Sequence, residues 1–532
     1  MRLYRTGFVT PALLAVMLVS SLHSKIPDLS GLDKMPPSIE KDYYIWRFIS
    51  QPGTKASDAK KAIRQVVHLN GKLIKAYRKK TGHTPPKPVA SCGWSLAKFY
   101  ATGGECAIQP KKVESSSTTE KRSALYRVLS SDKPIALWRD MDDETKVYIL
   151  NHAGKAGRKK LDHTPDAQEW KGLTRVSGFN RTISLIEREK LSGLSSGFLL
   201  PPAKDNALNY KTKMSLGFRA LTSSERKVAA IYFADSAKKS ERRDEVDRAL
   251  FWTWMATKEK SYLSQLTRSY DINIYTLAAR DLLKLKYPRV LTPRFKEYGK
   301  APAYVKDPIV WARIKKKIYS GQENLKRLAS TYENGESIGY YTYILTRASR
   351  DKEQYFPMPY RDMMVKLPQS RQAILYAIAR QESKFVPSSV SRSFALGMMQ
   401  IMPFLVDHIS KERGEKIDYD DMFDPRKALV YANHHMNYLN KWLKHPLFVA
   451  YAYNAGIGYT KRMLLAGRLF KSTSGLEPWL SIEAIDNAQA REYGKKVLTN
   501  YVIYMNLLGS PTRLLDLVLQ LDDPSKTDRF RK

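Results

Sequence analysis

One acidic side chain lies on the apolar face of a predicted helix. The segment Ser370–Ser383 reads SRQAILYAIARQES, and Ser370 is a candidate N-cap. Glu382 falls at helical spacing on the apolar stripe of this segment. A carboxylate there is costly unless it is paired or protonated, and burial raises its pKa toward neutrality. Glu382 is therefore a candidate proton donor; the alternatives are a surface glutamate at a fraying helix end or an ion pair with Arg380 or Arg371. The stripe consists of Ile374, Leu375 and Ile378.

Two further motifs follow Glu382 along the chain. The run GMMQIMP begins at Gly397, and AYNAG begins at Ala452. Glu382 and Gln400 are 400 − 382 = 18 positions apart. An amide such as Gln400 both donates and accepts hydrogen bonds. Three motifs in this order form a highly specific pattern.

This ordered set resembles the soluble lytic transglycosylases of the bacterial cell wall, whose catalytic domain is lysozyme-like and akin to goose-type lysozyme. The family pattern is a helix ending in Glu-Ser, then Gly-Leu-Met-Gln-x-Met-Pro, then Ala-Tyr-Asn-Ala-Gly. The resemblance covers roughly residues 357–510. It implies that Glu382 is the sole catalytic acid and then base. The bond between N-acetylmuramic acid and N-acetylglucosamine would be cleaved without water, giving a 1,6-anhydro-muramoyl end.

The resemblance also implies which other side chains contact the substrate. Alternatives stay open for three of these roles. Ser383 is otherwise a helix-end cap, the two methionines are otherwise core residues, and Tyr453 is otherwise a core ring with its hydroxyl satisfied. The implied substrate-binding residues are Ser383, Met399, Gln400, Met402, Tyr453, Asn454 and Tyr493.

The chain departs from the family pattern at several positions, one of which is a mild swap of Leu for Met398. Phe394 stands where the family has a small glycine before Ala395, and Gln489 and Ala490 replace a Glu-Thr pair. The last two departures concern how the peptide stem or neighbouring sugars are held. They leave the chemistry of Glu382 unchanged.

Two other functions compete with transglycosylation. A hydrolytic muramidase would use water and normally a second carboxylate, and none occurs within the GMMQIMP or AYNAG segments. A non-catalytic peptidoglycan-binding scaffold would use helical repeats as a binding surface. Neither a metal site nor a cofactor is predicted.

The composition favours an anionic partner. The chain has 532 residues, 90 Lys+Arg against 52 Asp+Glu, and a formal net charge of +38. Such a charge suits nucleic acid, a membrane surface or an acidic polymer, but the basic residues are dispersed and carry no nucleic-acid-binding signature. Peptidoglycan strands, with their carboxylates, are the predicted partner. The hydrophobic share of 43% and the mean hydropathy of −0.45 exclude a polytopic membrane protein and a mostly disordered chain.

The first residues predict export. Residues 1–24 combine a basic start, an apolar run of about a dozen residues and small residues at the end, as a signal peptide does; the alternative is an uncleaved anchor. The predicted location is the periplasm, with no transmembrane domain in the mature chain. In that oxidising compartment Cys92 and Cys106 are predicted to form a disulfide worth about 3 kcal/mol, or else remain free thiols.

The apolar pattern predicts an all-α fold. Helical spacing recurs from Ile63 to Tyr77, and apolar clusters between residues 228 and 285 read as successive helices. Prolines cluster between residues 288 and 308 and again between 357 and 368. The prediction is an N-terminal helical, solenoid-like superhelix (25–290), a small helical linker domain (291–356) and a C-terminal lysozyme-like transglycosylase domain (357–532).

Overall fold

The computed structural model describes residues 26–86, 116–297, 299, 301–471 and 474–531. The predicted signal peptide (1–24) and both Cys92 and Cys106 lie outside these residues, so the export signal and the disulfide stay predictions. Within the described ranges there are helices and isolated β-bridges but no strand. The all-α prediction is confirmed.

The N-terminal part is a run of short helices that pack mainly on their sequence neighbours. The successive helices predicted between residues 228 and 285 are present as the four helices α13 to α16. The helices are α1 Leu29–Asp33, α2 Ile39–Ser50, α3 Ala56–Ala62, α4 Gly71–Thr81, α5 Ser116–Leu129, α6 Pro134–Arg139, α7 Asp143–His152, α8 Gly154–Lys160, α9 Ala167–Arg175, α10 Phe179–Glu189, α11 Ser192–Ser195, α12 Tyr210–Thr222, α13 Arg226–Lys239, α14 Arg243–Thr257, α15 Lys260–Thr267 and α16 Ile274–Leu282.

The C-terminal part contains the longest helices, and it includes both α22, which ends at Ser383, and α28, which packs on α22. Short 3₁₀ turns cover Ile63–Gln65, Ser196–Leu199, Gly335–Ser337 and Tyr419–Phe423. The remaining helices are α17 Ala303–Lys306, α18 Pro308–Tyr319, α19 Leu325–Ser330, α20 Ile338–Ala348, α21 Arg361–Met364, α22 Gln369–Ser383, α23 Pro403–Arg413, α24 Pro425–Asn440, α25 Pro446–Ala455, α26 Ile457–Leu465, α27 Trp479–Glu483, α28 Ala488–Leu507, α29 Leu514–Val518 and α30 Pro524–Thr527.

Two local predictions were wrong. The helical spacing from Ile63 to Tyr77 is interrupted, because Asn70 caps α4 by accepting from the Leu73 N–H at 3.0 Å. Ser370 is not an N-cap, because Pro368 occupies that position and α22 begins at Gln369. In the first case a turn-forming residue interrupts the apolar periodicity, and in the second the helix begins earlier than predicted with its apolar stripe intact.

The largest hydrophobic core crosses the predicted domain borders. It joins residues of α2, α14 and α16 to the buried side of α22, α25 and α28. Two smaller cores lie within residues 124–232 and 311–386. The borders at 290/291 and 356/357 stay predictions, but the N-terminal helix α2 and the Glu382 helix share one core.

Ion pairs and aromatic contacts join helix α2 to the C-terminal part. Arg47 donates to Asp418 at 2.6 Å and to Asp420 at 2.9 Å. The rings of Tyr43 and Trp46 lie 5.9 and 5.6 Å from the ring of Phe394. The Arg47 guanidinium is largely buried, so these ion pairs are screened less by water than surface pairs are.

Candidate active site

Glu382 lies in the last turn of α22. The apolar stripe is buried as predicted, and the helix ends where Lys384 and then Phe385 adopt left-handed backbone angles, φ 54° and 66°. Two such residues in succession turn the chain sharply away from the helix axis. The turn leaves Glu382 at the helix end, where the residue is partly buried.

One side chain donates a hydrogen bond to the Glu382 carboxyl. The hydroxyl of Tyr493, in α28, donates to Oε1 at 2.7 Å. Burial raises the pKa of Glu382 to about 7, and the Tyr493 bond opposes that rise. In the described part of the chain no carboxylate contributes to this shift. The arginines named as possible partners bond elsewhere, Arg380 to Asn500 at 2.6 Å and Arg371 to Asn433 at 2.6 Å.

Tyr453 lies close enough for the charge of Glu382 to influence it. Burial, and then the Glu382 charge, raise the pKa of Tyr453 well above its usual value. Its hydroxyl donates to the Met399 carbonyl at 2.8 Å, so it holds the loop after α22. His435 packs edge-on against Tyr453 with ring centroids 5.7 Å apart. Sequence reasoning did not place His435 beside this tyrosine.

The GMMQIMP segment forms a tight turn beside Glu382. Leu396 and Ile401 exchange backbone hydrogen bonds at 3.0 and 2.9 Å. Ser383 donates to the Met398 carbonyl at 2.8 Å, which ties the turn to the end of α22. Gln400 uses its amide N–H groups on the carbonyls of Ser389 and Gly397, at 3.1 and 2.8 Å. Two polar residues predicted to contact substrate thus also brace the loop.

The remaining predicted residues occupy different depths around this turn. Met399 is fully buried, whereas Met402 is partly exposed at the start of α23. Asn454 is partly buried in the last turn of α25, next to Tyr453. The structure therefore brings Tyr453 and Tyr493 close to Glu382, whereas Ser383 and Gln400 bond to the backbone of the neighbouring turn. Their roles toward a substrate stay predictions.

The departures from the family pattern also have defined places. Phe394 is fully buried with φ 60° and packs on helix α2. Ala490 is buried and Gln489 exposed in the first turn of α28. Arg491 agrees with the family pattern. It donates to the Ile485 carbonyl at 2.7 Å and so supports the start of the helix that carries Tyr493.

Sequence reasoning missed a buried ionic cluster around Glu483. Its carboxylate accepts from Arg248 and Lys495 at 2.7 and 2.8 Å. The Trp252 indole donates to it at 3.1 Å, and the Tyr275 hydroxyl also donates to it. Burial alone would raise the pKa of Glu483, but the two cations hold it well below its usual range. The cluster joins α14 and α16 to α28, two residues from Tyr493, and its distant partners leave no local sequence signal.

Gly397 offers a test of how tightly the turn is fitted. Its φ is 76°, and a Cβ there would lie 1.9 Å from the Met422 carbonyl oxygen. We expect Gly397→Ala to lower the free energy of unfolding by at least about 2 kcal/mol. Gly414→Ala is the matched control, since its φ is 65° and no atom lies within 4 Å; it should cost only about 1 kcal/mol. Denaturant unfolding of both variants measures the difference, and equal losses would contradict the close fit.

The raised pKa of Glu382 predicts a pH-dependent stability difference. A carboxyl whose pKa rises from 4.5 to about 7 on folding stabilises the fold below pH 4.5, and this contribution is lost as pH rises through 7. Glu382→Gln does not titrate, so relative to the wild type it should gain about 2 kcal/mol between pH 5 and pH 8. Thermal unfolding at both pH values measures the difference. A constant difference between the two proteins would contradict a raised pKa.

No helix in the described ranges combines the length and the apolar character needed to cross a bilayer. No group of three or more His, Cys, Asp or Glu side chains in those ranges is arranged to hold a metal ion.

The candidate active site lies in a part of the chain that is similar to known proteins. Residues 362–468 match the family model described as "Transglycosylase SLT domain". This range contains Glu382, the GMMQIMP turn and the AYNAG segment. The candidate active site therefore lies in a range that matches this family model, and the resemblance predicted from the motifs is confirmed.

Two curated relatives carry the name soluble lytic murein transglycosylase. The Salmonella typhimurium protein is 26% identical over 213 residues, which is 38% of this chain and 32% of the relative. The Escherichia coli K12 protein is 27% identical over 169 residues, which is 31% of this chain and 25% of the relative. The matched segments thus span a third or less of the length of these relatives.

Solved structures of lytic transglycosylases are also similar to the chain. An inactive mutant of the lytic transglycosylase Slt from Pseudomonas aeruginosa aligns with a TM-score of 0.39 and 15% identity, covering 90% of this chain and 83% of that one. The 70 kDa soluble lytic transglycosylase from Escherichia coli aligns with a TM-score of 0.35 and 17% identity, covering 91% and 84%.

Proposed function

We propose that this protein cleaves the β-1,4 bond between N-acetylmuramic acid and N-acetylglucosamine in peptidoglycan by intramolecular transglycosylation. The observation that carries the proposal is the Glu382 carboxyl, which has one hydrogen-bond donor, a pKa near 7 and no carboxylate acting on it in the described ranges. The SLT domain match and the names of the curated relatives support the same activity. The predicted signal peptide supports a periplasmic location.

In the first step Glu382 acts as the acid. With a pKa near 7 the carboxyl is largely protonated at slightly acidic pH. Because Tyr493 donates to Oε1, Oε2 is the oxygen left to carry the proton. Its transfer to the glycosidic oxygen breaks the bond to C1 of the muramoyl ring, and the N-acetylglucosamine oxygen leaves as a hydroxyl. The positive charge that develops at C1 is delocalised onto the ring oxygen, as in an oxocarbenium ion.

In the second step the same carboxylate acts as the base. It accepts the proton of the muramoyl 6-hydroxyl as that oxygen bonds to C1, which closes a 1,6-anhydro ring and restores the protonated Glu382. One carboxyl can serve both steps because it is deprotonated by the first and reprotonated by the second. The Tyr493 hydroxyl stabilises the carboxylate formed between the two steps.

Mass spectrometry of the products tests the proposal. Transglycosylation leaves a muramoyl end that is lighter by one water than the reducing end made by a hydrolase. Digestion of purified glycan strands by the full chain should therefore give anhydro ends. Reducing ends would favour a muramidase instead, and intact strands with retained binding would favour a wall-binding scaffold.

The large positive charge supports binding to an acidic polymer. With a net charge of +38 the chain should be attracted to the carboxylates of peptidoglycan. Salt screens this attraction, with a Debye length of about 10 Å at 0.1 M ionic strength. We expect association with intact wall material to weaken several-fold between 50 mM and 300 mM salt in a co-sedimentation assay. An unchanged bound fraction would argue against electrostatic recruitment.

A further inference from the structure

A cavity lies at the opposite end of the Glu382 helix and has no part in the proposed mechanism. Its volume is about 530 Å³, within the range of about 300 to 1,000 Å³ that is typical of small-molecule sites. Ser370, Arg371 and Ile374 of α22 line it. At a rise of 1.5 Å per residue these positions are about 12 to 18 Å along the helix axis from Glu382. The cavity is thus separate from the candidate active site.

One wall of the cavity is a row of asparagine side chains. Asn433, Asn437 and Asn440 line it from α24, and their i, i+4, i+7 spacing places them on one face of that helix. The Oδ1 atoms of Asn433 and Asn437 accept from Arg371 Nη1 at 2.6 and 2.8 Å. Their amide NH₂ groups therefore remain as donors toward a ligand.

The charge in the cavity is positive and unpaired. Arg371 and Lys444 line it, no aspartate or glutamate does, and neither cation forms an ion pair within the described ranges. All the hydrogen bonds of Arg371 there are made by Nη1, which leaves Nε and Nη2 free. Lys444 donates to the Ser525 carbonyl at 2.6 Å. Burial lowers the pKa of Arg371, as expected for a cation held without a compensating carboxylate.

The opposite wall is apolar. Ile374, Val449 and Tyr501 are buried and face the cavity from three different helices. The cavity therefore offers a fork of guanidinium donors for a carboxylate, amide donors for carbonyl or hydroxyl oxygens, and a surface for methyl groups. A carboxylate with nearby N-acyl groups and small apolar side chains matches all three.

We propose that this cavity is a second, non-catalytic peptidoglycan site, which binds a muramoyl-peptide segment through its carboxylate. The proposal rests on the proposed function for the choice of ligand, because peptidoglycan carries peptide carboxylates beside N-acetylated sugars. Binding at this site would hold a glycan strand or its peptide stem while another part of the same polymer occupies the candidate active site at Glu382.

Calorimetric titration of the full chain with a soluble N-acetylmuramoyl peptide tests the site. The titration uses the Glu382→Gln background, so the ligand is not consumed. Asn437→Asp places a carboxylate beside Arg371 at an exposed position, where it competes with the ligand. We expect this change to weaken binding at the cavity at least tenfold. Asn440→Asp, on the same wall, should weaken it in the same direction.

Two matched controls separate the cavity from general charge effects. Lys441→Gln lowers the net charge by the same amount at an exposed residue that does not line the cavity, so it should leave the affinity unchanged. A peptide with amidated carboxyl groups should bind weakly and should not respond to Asn437→Asp. Hydrogen exchange should report ligand protection within residues 433–449. Thermal unfolding confirms that each variant is folded.

Three outcomes would overturn the proposal: unchanged affinity in both aspartate variants, an equal loss in Lys441→Gln, or equal binding of the amidated peptide. Because binding is read without turnover, this test is independent of product analysis. Anhydro products without cavity binding would contradict only this inference. Cavity binding without anhydro products would contradict the proposed reaction.

Discussion

Glu382→Gln is expected to lower turnover of glycan strands by at least about 10³-fold. Glutamine keeps the shape of the side chain and can still accept from Tyr493, but it cannot give a proton to the glycosidic oxygen or take one from the 6-hydroxyl. General acid–base catalysis contributes about 10² to 10⁴ per proton transfer, and here one group performs both transfers. Chromatography and mass spectrometry of released anhydro products measure the effect.

Glu259→Gln is the matched control for the loss of one acidic group. Glu259 is exposed in the N-terminal part, and its side chain makes no capping bond. The control should keep wild-type turnover, and both variants should still bind glycan strands. Turnover above a tenth of the wild-type value in Glu382→Gln would mean that another group supplies the proton.

Glu483→Ala is expected to destabilise the protein by about 3 to 5 kcal/mol. Removing this carboxylate leaves Arg248 and Lys495 buried without their counter-charge, and such a break is among the costliest single changes in a protein interior. The pKa of Glu483 is held low by these cations, so the stabilisation is present at neutral pH and is lost as pH falls through that low pKa. Denaturant unfolding followed by tryptophan fluorescence, with Trp252 in the cluster, measures the loss.

Glu492→Ala provides the comparison at the same lysine. Glu492 also pairs with Lys495, at 3.2 Å, but its side chain is exposed. Its loss should cost no more than about 1 kcal/mol. Similar losses of unfolding free energy in the two variants would show that burial does not determine how much each carboxylate stabilises the protein. A drop in turnover in Glu483→Ala under folded conditions would follow from displacement of α28, which carries Tyr493.

The sequence predicted best what depends on local spacing. The burial of Ile374, Leu375 and Ile378 and the position of Glu382 on their side of the helix follow from a repeat of 3.6 residues within one element. The positive φ of Gly397 is a local feature of the same kind, because glycine is the residue that adopts such angles without strain. These features need no information from distant parts of the chain.

Contacts between distant elements were beyond sequence reasoning. The bond from Tyr493 to Glu382 joins residues 111 positions apart, and the contacts of Glu483 to Arg248 and Tyr275 span more than 200. Nothing in the local pattern around Glu483 distinguishes it from a surface glutamate. The N-cap of α22 was also missed. Serine is the more common N-cap residue, so Ser370 was chosen, but Pro368 occupies the N-cap position and Ser370 lies within the helix.

The attachment of α2 to the other end of the chain governs the order in which this protein can assemble. Tyr43 and Arg47 bond to Asp420 across 377 and 373 positions. Contacts between such distant residues close a very long loop. They form late in folding, because the chain loses the entropy of loop closure before the contacts can stabilise it. Tyr43 and Arg47 of α2 therefore lack this partner until residue 420 has been synthesised, although α2 already packs on its sequence neighbours. A fragment truncated before residue 420 would expose part of the aromatic face of α2 and be prone to aggregate.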